Sequence, residues 1–360
     1  MMSVALHIRE VIHKSLAYVL CGSLCISCLS PIDIEGDNIG GQLVVSGQVS
    51  TLAEQNIIQI GRTAATERLP FPLSGATVVL WDNENNSHFF IEDEFQPGQY
   101  ILESVTGIAG STYHVQIITP DGKIYESIPE LMPGGAGSIS TNYEIVTEDY
   151  TDGEGTVTSS PFVKVYANVT LPESPASLFI KWSVDEVFLL TPTDFPDPFA
   201  HVPPPCFVAQ NADPQSITLF NGDLIKQSSF DRMLVASRLV DWSFLERHYF
   251  TTYQSSLTKE AFDYWTKVDI LANSSGSIFD TPPAEIRGNI VSVNDPDEKV
   301  HGYFQAVNQT YDRFYLLPGA FPFRLLFDDC PFDAYSTKYP SRCLDCLSVR
   351  NSSYRRPNWF

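Results

Sequence analysis

The residues best suited to chemistry in this sequence are four cysteines, Cys206, Cys330, Cys343 and Cys346, the last two set as Cys-x-x-Cys in "PSRCLDCLSV". Four thiolates can hold zinc tetrahedrally, but a zinc ribbon uses two Cys-x-x-Cys pairs and this chain offers one. A redox pair of the thioredoxin kind opens a helix in a βα unit, whereas this pair stands in a polar tail of little periodicity. The remaining chemistry is cross-linking, which an oxidising compartment permits. Four cysteines allow three connectivities. The small ring closed by Cys343 and Cys346 is disfavoured by strain, and the choice otherwise stays open.

The compartment is read from the N-terminus. Arg9 and Lys14 precede the apolar run "SLAYVLCGSLCIS", which ends just before Cys28. Such a run is too short to span a bilayer and has the form of an export signal. Residues 1–27 therefore read as a signal peptide and Cys28 as a lipidated first residue, although Cys25 stands where a lipobox carries Leu. Residues 28–41, acidic and turn-like, read as a lipidated tether. Export leaves Cys206, Cys330, Cys343 and Cys346 in an oxidising space, and two disulfides are expected among them. The covalent lipid on Cys28 is the expected attached group; no other cofactor is expected.

Other constellations carry less. Five histidines lie beyond the signal, His88, His114, His201, His248 and His301, and none falls in H-E-x-x-H. Neither a G-x-S-x-G elbow nor a phosphate-binding loop occurs. The oxygens of "DNENNSH" (82–88) and "NDPDE" (294–298) could ligate calcium, but their spacing is that of turns rather than a calcium loop. A formal net charge of -21 repels phosphate backbones, which excludes nucleic acid as an expected partner.

The elements that must position these residues are mostly strands. With 25 prolines, 21 glycines and 12% aromatics in 360 residues, the chain suits short strands and turns. Residues 42–131 read as a small β-sandwich: in "STYHVQIITPDGKIYES" Tyr113, Val115 and Ile117 alternate with polar neighbours, and Asp121-Gly122 marks a hairpin. Residues 132–160, rich in Gly, Ser, Thr and acid, read as a linker or long loop. Residues 161–327 read as a second β-rich domain, in which "FVKVYANVTL" and "SLFIKWSVDEVFLL" look like antiparallel partners. It holds one packed helix at 256–272, with Ser256 as N-cap and an apolar stripe of Leu257, Ala261, Tyr264, Trp265, Val268 and Ala272. Residues 286–307 read as a hairpin about Asn294–Asp297. The tail 328–360 is expected to be held by its cysteines.

The order and spacing of several blocks carry a resemblance. "CLSPIDIE" follows the signal; "QLVVSGQVS", "PLSGATVVLWD" and "GQYILES" come next; then "CFV" at 206–208, "YQSSLTKEAFDYW" and "GSIFDTPPAEIRGNIVSVNDPDEKVHGYF"; the end is "RCLDC…RRPNWF". Together they resemble the Bacteroidota outer-membrane lipoproteins grouped as domain of unknown function 4249. The resemblance implies an immunoglobulin-like or carboxypeptidase-regulatory-like sandwich followed by a family-specific β-rich domain. It also implies a place at the outer membrane, on its periplasmic face or at the cell surface, often beside a TonB-dependent receptor. It implies no catalytic residues.

The expected function is accordingly that of a non-enzymatic, lipid-anchored accessory or binding partner of a TonB-dependent transporter. The first alternative is an independent glycan- or peptide-binding module using Trp242 and Trp265 as stacking platforms. The second is a hydrolase assembled from scattered carboxylates, which would need a deep site with perturbed acids.

Overall fold

The computed structural model describes residues 41–64, 70–151, 155–172, 177–192, 204–214, 216–225, 227–273, 286–327 and 341–360. The expected signal, Cys28, most of the tether, His201 and Cys330 lie outside them. The described residues belong to one compact unit, Gly40–Phe360.

The strands are, in chain order, β1 (Leu43–Ser50), β2 (Ile57–Arg62), β3 (Phe71–Pro72), β4 (Thr77–Asp82), β5 (Ser87–Phe89), β6 (Ile91–Glu92) and β7 (Gln99–Ile101). Next come β8 (Thr112–Ile118), β9 (Ile124–Ser127), β10 (Glu130–Leu131), β11 (Ser138–Thr151), β12 (Val157–Thr170) and β13 (Phe179–Leu190). They are followed by β14 (Cys206–Asn211), β15 (Thr218–Asn221), β16 (Ser229–Leu239) and β17 (His248–Leu257). Helix α1 (Lys259–Ala272), β18 (Ile290–Ser292), β19 (Val300–Leu316), the single turn α2 (Ser341–Leu344) and β20 (Ser352–Ser353) complete the chain.

Among the described residues the strands form three sheets. The largest, of eleven strands, runs β20-β14-β13-β17-β19-β1-β2-β7-β6, with β15 beside β13 and β3 beside β2. A six-stranded sheet runs β18-β9-β8-β4-β5 with β10 beside β8, and a three-stranded sheet runs β11-β12-β16. The fold is therefore mainly β.

The large sheet serves as one layer of two sandwiches. On its β1–β2–β7 side, Leu43, Val45, Ile58, Ile60 and Tyr100 pack against Val78, Leu80, Val115, Ile117 and Tyr125 of the six-stranded sheet. These are the inward halves of alternating strands, and each large apolar side chain so buried contributes roughly 2 kcal/mol. On its β13–β17–β19 side, Ile180, Trp182, Val184 and Phe250 pack against Val163, Val165, Ala167, Val235 and Ala236 of the three-stranded sheet.

The joint between the two halves is hydrogen-bonded. Leu43–Ser50 of β1 pairs in parallel with Val300–Val307 of β19. The sandwich expected at 42–131 and the β-rich region expected at 161–327 thus share a continuous sheet.

Several expectations are corrected. Within the linker or long loop expected at 132–160, residues 138–151 form a strand: β11 pairs with β12 along its whole length, from Ser138↔Thr170 to Thr151↔Val157. Their Ser, Thr and acid content reads as loop, but Ile139, Thr141, Tyr143 and Ile145 alternate as an amphipathic strand does. "FVKVYANVTL" and "SLFIKWSVDEVFLL" face each other across a core rather than pairing edge to edge. Residues 286–307 do not form a hairpin, because β18 pairs with β9 while β19 pairs with β1 and β17. Helix α1 begins later than expected. Thr258 is its N-cap, accepting from the Ala261 amide at 3.1 Å, and Ser256 is a fully buried residue of β17.

Candidate functional site

The cysteines staple the C-terminal tail. Cys206, first residue of β14, is bonded to Cys346, with Cα atoms 5.8 Å apart across a sequence separation of 140. Cys343 is also disulfide-bonded. The Cys206–Cys346 link is packed with Phe188, Leu190 and Val208. Among the described residues no group of three or more His, Cys, Asp or Glu is arranged to hold a metal. Oxygens of the two acidic turns are engaged within the protein: Asp82 Oδ1 accepts from the Glu84 and Asn86 amides, and Asn294 Oδ1 from the Ile124 amide.

Beyond Cys346 the tail bridges the two ends of the large sheet. Ser352 and Ser353 pair with β14 at one end. The next residues, Tyr354 and Arg355, meet Phe95 (ring centroids 6.2 Å apart) and Glu103 beside β6 and β7 at the other. The sheet is therefore curled, with one face concave. Two grooves open along the tail, one of about 610 Å³ between Ser46, Gln59, Pro72 and Arg350, the other of about 450 Å³ between Ile91, Glu103 and Arg355.

The concave face is unusually polar for the middle of a sheet. Register places three rows across β13, β17 and β19: Lys181–Ser255–Gln309, Ser183–Tyr253–Tyr311 and Asp185–Thr251–Arg313. Alternation sends Ile180, Trp182 and Val184 to the opposite, apolar face. Helix α1 covers one end, where Phe262, Tyr264 and Trp265 pack on Phe179, Leu257, Tyr303 and Val307. The chain terminus covers the other, where Trp359 and Phe360 pack on Tyr249.

Each end pairs an indole with a cation. Lys181 Nζ lies 3.5 Å from the centroid of Trp265, whose Nε1 donates to Gln305 Oε1 at 2.8 Å. The Arg313 guanidinium lies 3.5 Å from the centroid of Trp359, and its Nε donates to Thr251 Oγ1 at 2.7 Å. Among the described residues neither cation is in a salt bridge.

The electrostatics are those of a confined place that water still reaches. Lys181 and Asp185 are half-buried. Desolvation nonetheless pulls the Lys181 ammonium down to about 8, against the attraction of Asp185. It pushes the Asp185 carboxyl up to about 6, against Lys181 and a hydrogen bond with Asn211. Tyr253 is raised well above the ordinary phenol range, chiefly by burial. Its hydroxyl accepts from Gln55 Nε2 at 2.8 Å.

Two other charged clusters brace the frame. Glu186 is fully buried and takes Arg238 Nε at 2.9 Å, His248 Nε2 at 3.0 Å and Gln210 Nε2 at 2.6 Å. Burial pushes its carboxyl up, but the His248 hydrogen bond and the charges of His248 and Arg238 outweigh that and hold it low. His248 is stacked on Phe244 with centroids 4.0 Å apart. Ser243 lies close, yet its hydroxyl is bonded to Asp241 Oδ1 at 2.5 Å, and His248 Nδ1 faces the Ser243 carbonyl. Serine and imidazole are thus not aligned as nucleophile and base. Glu130, raised mainly by burial, receives Tyr303 Oη and Thr258 Oγ1, which ties the helix N-cap to β10 and β19.

Trp242 and Trp265 are half-buried rather than open platforms. Trp242 lies edge-on to Phe188 and under Arg342, and Trp265 under Lys181. The exposed rings of the concave face are Tyr311 and Tyr315, 42% and 51% accessible. Lys181, Asp185, Tyr253 and Arg313 were not legible as a group. Each stands on the polar half of an alternating strand, a pattern that reads as solvated surface.

Fold and site define a mainly β protein whose long curled sheet is braced by disulfides and carries a polar, aromatic-walled face. The chain belongs to the family described as Domain of unknown function (DUF4249), whose model matches residues 30–313. Comparison with curated proteins gives no match.

Proposed function

We propose that this protein is a non-enzymatic, lipid-anchored outer-membrane protein that binds a ligand as accessory to a TonB-dependent transporter. The observation that carries the reading is the concave face itself. Its side chains stand on fully paired strands, are walled by α1 and by a disulfide-held tail, and include cations in no salt bridge among the described residues. A rigid scaffold of this kind suits recognition, because little order is lost on binding. The export signal and Cys28 supply the anchor in this reading, and none of the described helices is long and apolar enough to cross a membrane.

Affinity purification from detergent-solubilised membranes tests the proposal. A transporter of the TonB-dependent class should be recovered with the protein; recovery of the protein alone counts against the accessory role. The exposed Tyr311 and Tyr315 favour one second reading, an independent glycan-binding module, which predicts sugar binding with no transporter partner.

A further inference from the structure

We infer that the concave face is a binding site for a carboxylated oligosaccharide, held between the Lys181–Trp265 and Arg313–Trp359 pairs; this rests on the binding-protein reading above. In a chain of net charge -21, two cations turned to one face without a salt bridge among the described residues are a specific provision for negative charge. Lys181 and Arg313 are two strands and four residues apart in register, roughly 16 Å between Cα atoms. That span suits an extended oligosaccharide of several units with more than one carboxylate, not a single small anion.

The choice of sugar over peptide follows from the strands. On β13, β17 and β19 the backbone groups are paired with neighbouring strands, so the face offers side chains only. A peptide laid here would leave its own amides and carbonyls poorly matched. Sugar hydroxyls are matched by the half-buried Ser183 and Asp185, and the pyranose faces by the exposed ring of Tyr311.

The test is calorimetric titration of the full chain, disulfides intact, with tetragalacturonate, uncharged maltotetraose and a glutamate tetrapeptide. Tetragalacturonate should bind best and weaken with salt. Lys181→Met and Arg313→Gln should each lower its affinity about tenfold or more, while Lys267→Met on the exposed side of α1 should not. Equal binding of maltotetraose, equal binding of the tetrapeptide, or no tetragalacturonate binding at millimolar concentration would each overturn the proposal, as would unchanged affinity in both variants once melting shows them folded. If a variant does not fold, protection of Lys181 from acetylation by tetragalacturonate, read by mass spectrometry on the unaltered chain, decides: protection supports the site and its absence overturns it. Sugar binding without a transporter in the membrane purification would keep this site and remove the accessory role; a transporter without sugar binding would do the reverse.

Discussion

At the scale of single residues, the two perturbed groups of the concave face make stability depend on pH with a definite sign. Asp185 is held near 6, above its ordinary value, so its contribution is full at low pH and is lost as pH rises through 6. Lys181 is held near 8, below its ordinary value, so stability climbs again as pH rises from about 8 toward 10.5. Asp185→Asn should therefore flatten the curve between about pH 4 and 6 and raise stability at pH 7 by about 1 kcal/mol, the shift being discounted for partial exposure. Denaturant melts across pH measure this, and an unchanged slope would refute it. Glu186 works in the opposite sense: its depressed carboxyl gives stability that is lost as pH falls below the ordinary glutamate range. Glu186→Gln takes the carboxylate away from the half-buried Arg238 guanidinium and the buried His248 ring and should cost about 3–5 kcal/mol.

At the scale of elements, legibility followed how local each signal is. β8, the Asp121-Gly122 turn and the body of α1 are written in short-range alternation, helical periodicity and turn chemistry, and they stand where the sequence puts them. The start of α1 is ambiguous in the sequence because Ser256 is as good a cap by type as Thr258. What separates them is Glu130, 128 residues away, which orders the Thr258 hydroxyl. β11 is hard to see in the sequence because an acidic, Thr-rich strand at a sheet edge differs little in composition from a loop. The concave face is hidden for a related reason: strand polarity shows which residues leave the core, not whether three polar halves converge.

One element-level dependence is testable directly. Gly302, in β19, has φ +98°, and a Cβ there would overlap the Val45 carbonyl of β1. Gly302→Ala should cost about 3 kcal/mol or more, and the loss should appear in the melting temperature.

At the scale of the whole molecule, the disulfide and the parallel joint decide what holds together. The Cys206–Cys346 link closes a loop spanning 140 positions, for which chain entropy gives roughly 4–5 kcal/mol. Replacing Cys206 by Ser should lower the melting temperature and loosen the tail, seen as a red shift of tryptophan emission as Trp359 leaves Tyr249 and Arg313. An unchanged spectrum would mean that the tail docks without its staple.

The pairing of β1 with β19 has a temporal meaning as well. Gln48 and Gln305, side by side in the sheet, are 257 residues apart in the chain. Synthesis from the N-terminus delivers β1 long before β19 exists, so the N-terminal strands lack one neighbour of their layer until the chain is nearly complete. A fragment ending near residue 131 should therefore show few protected amides in hydrogen exchange.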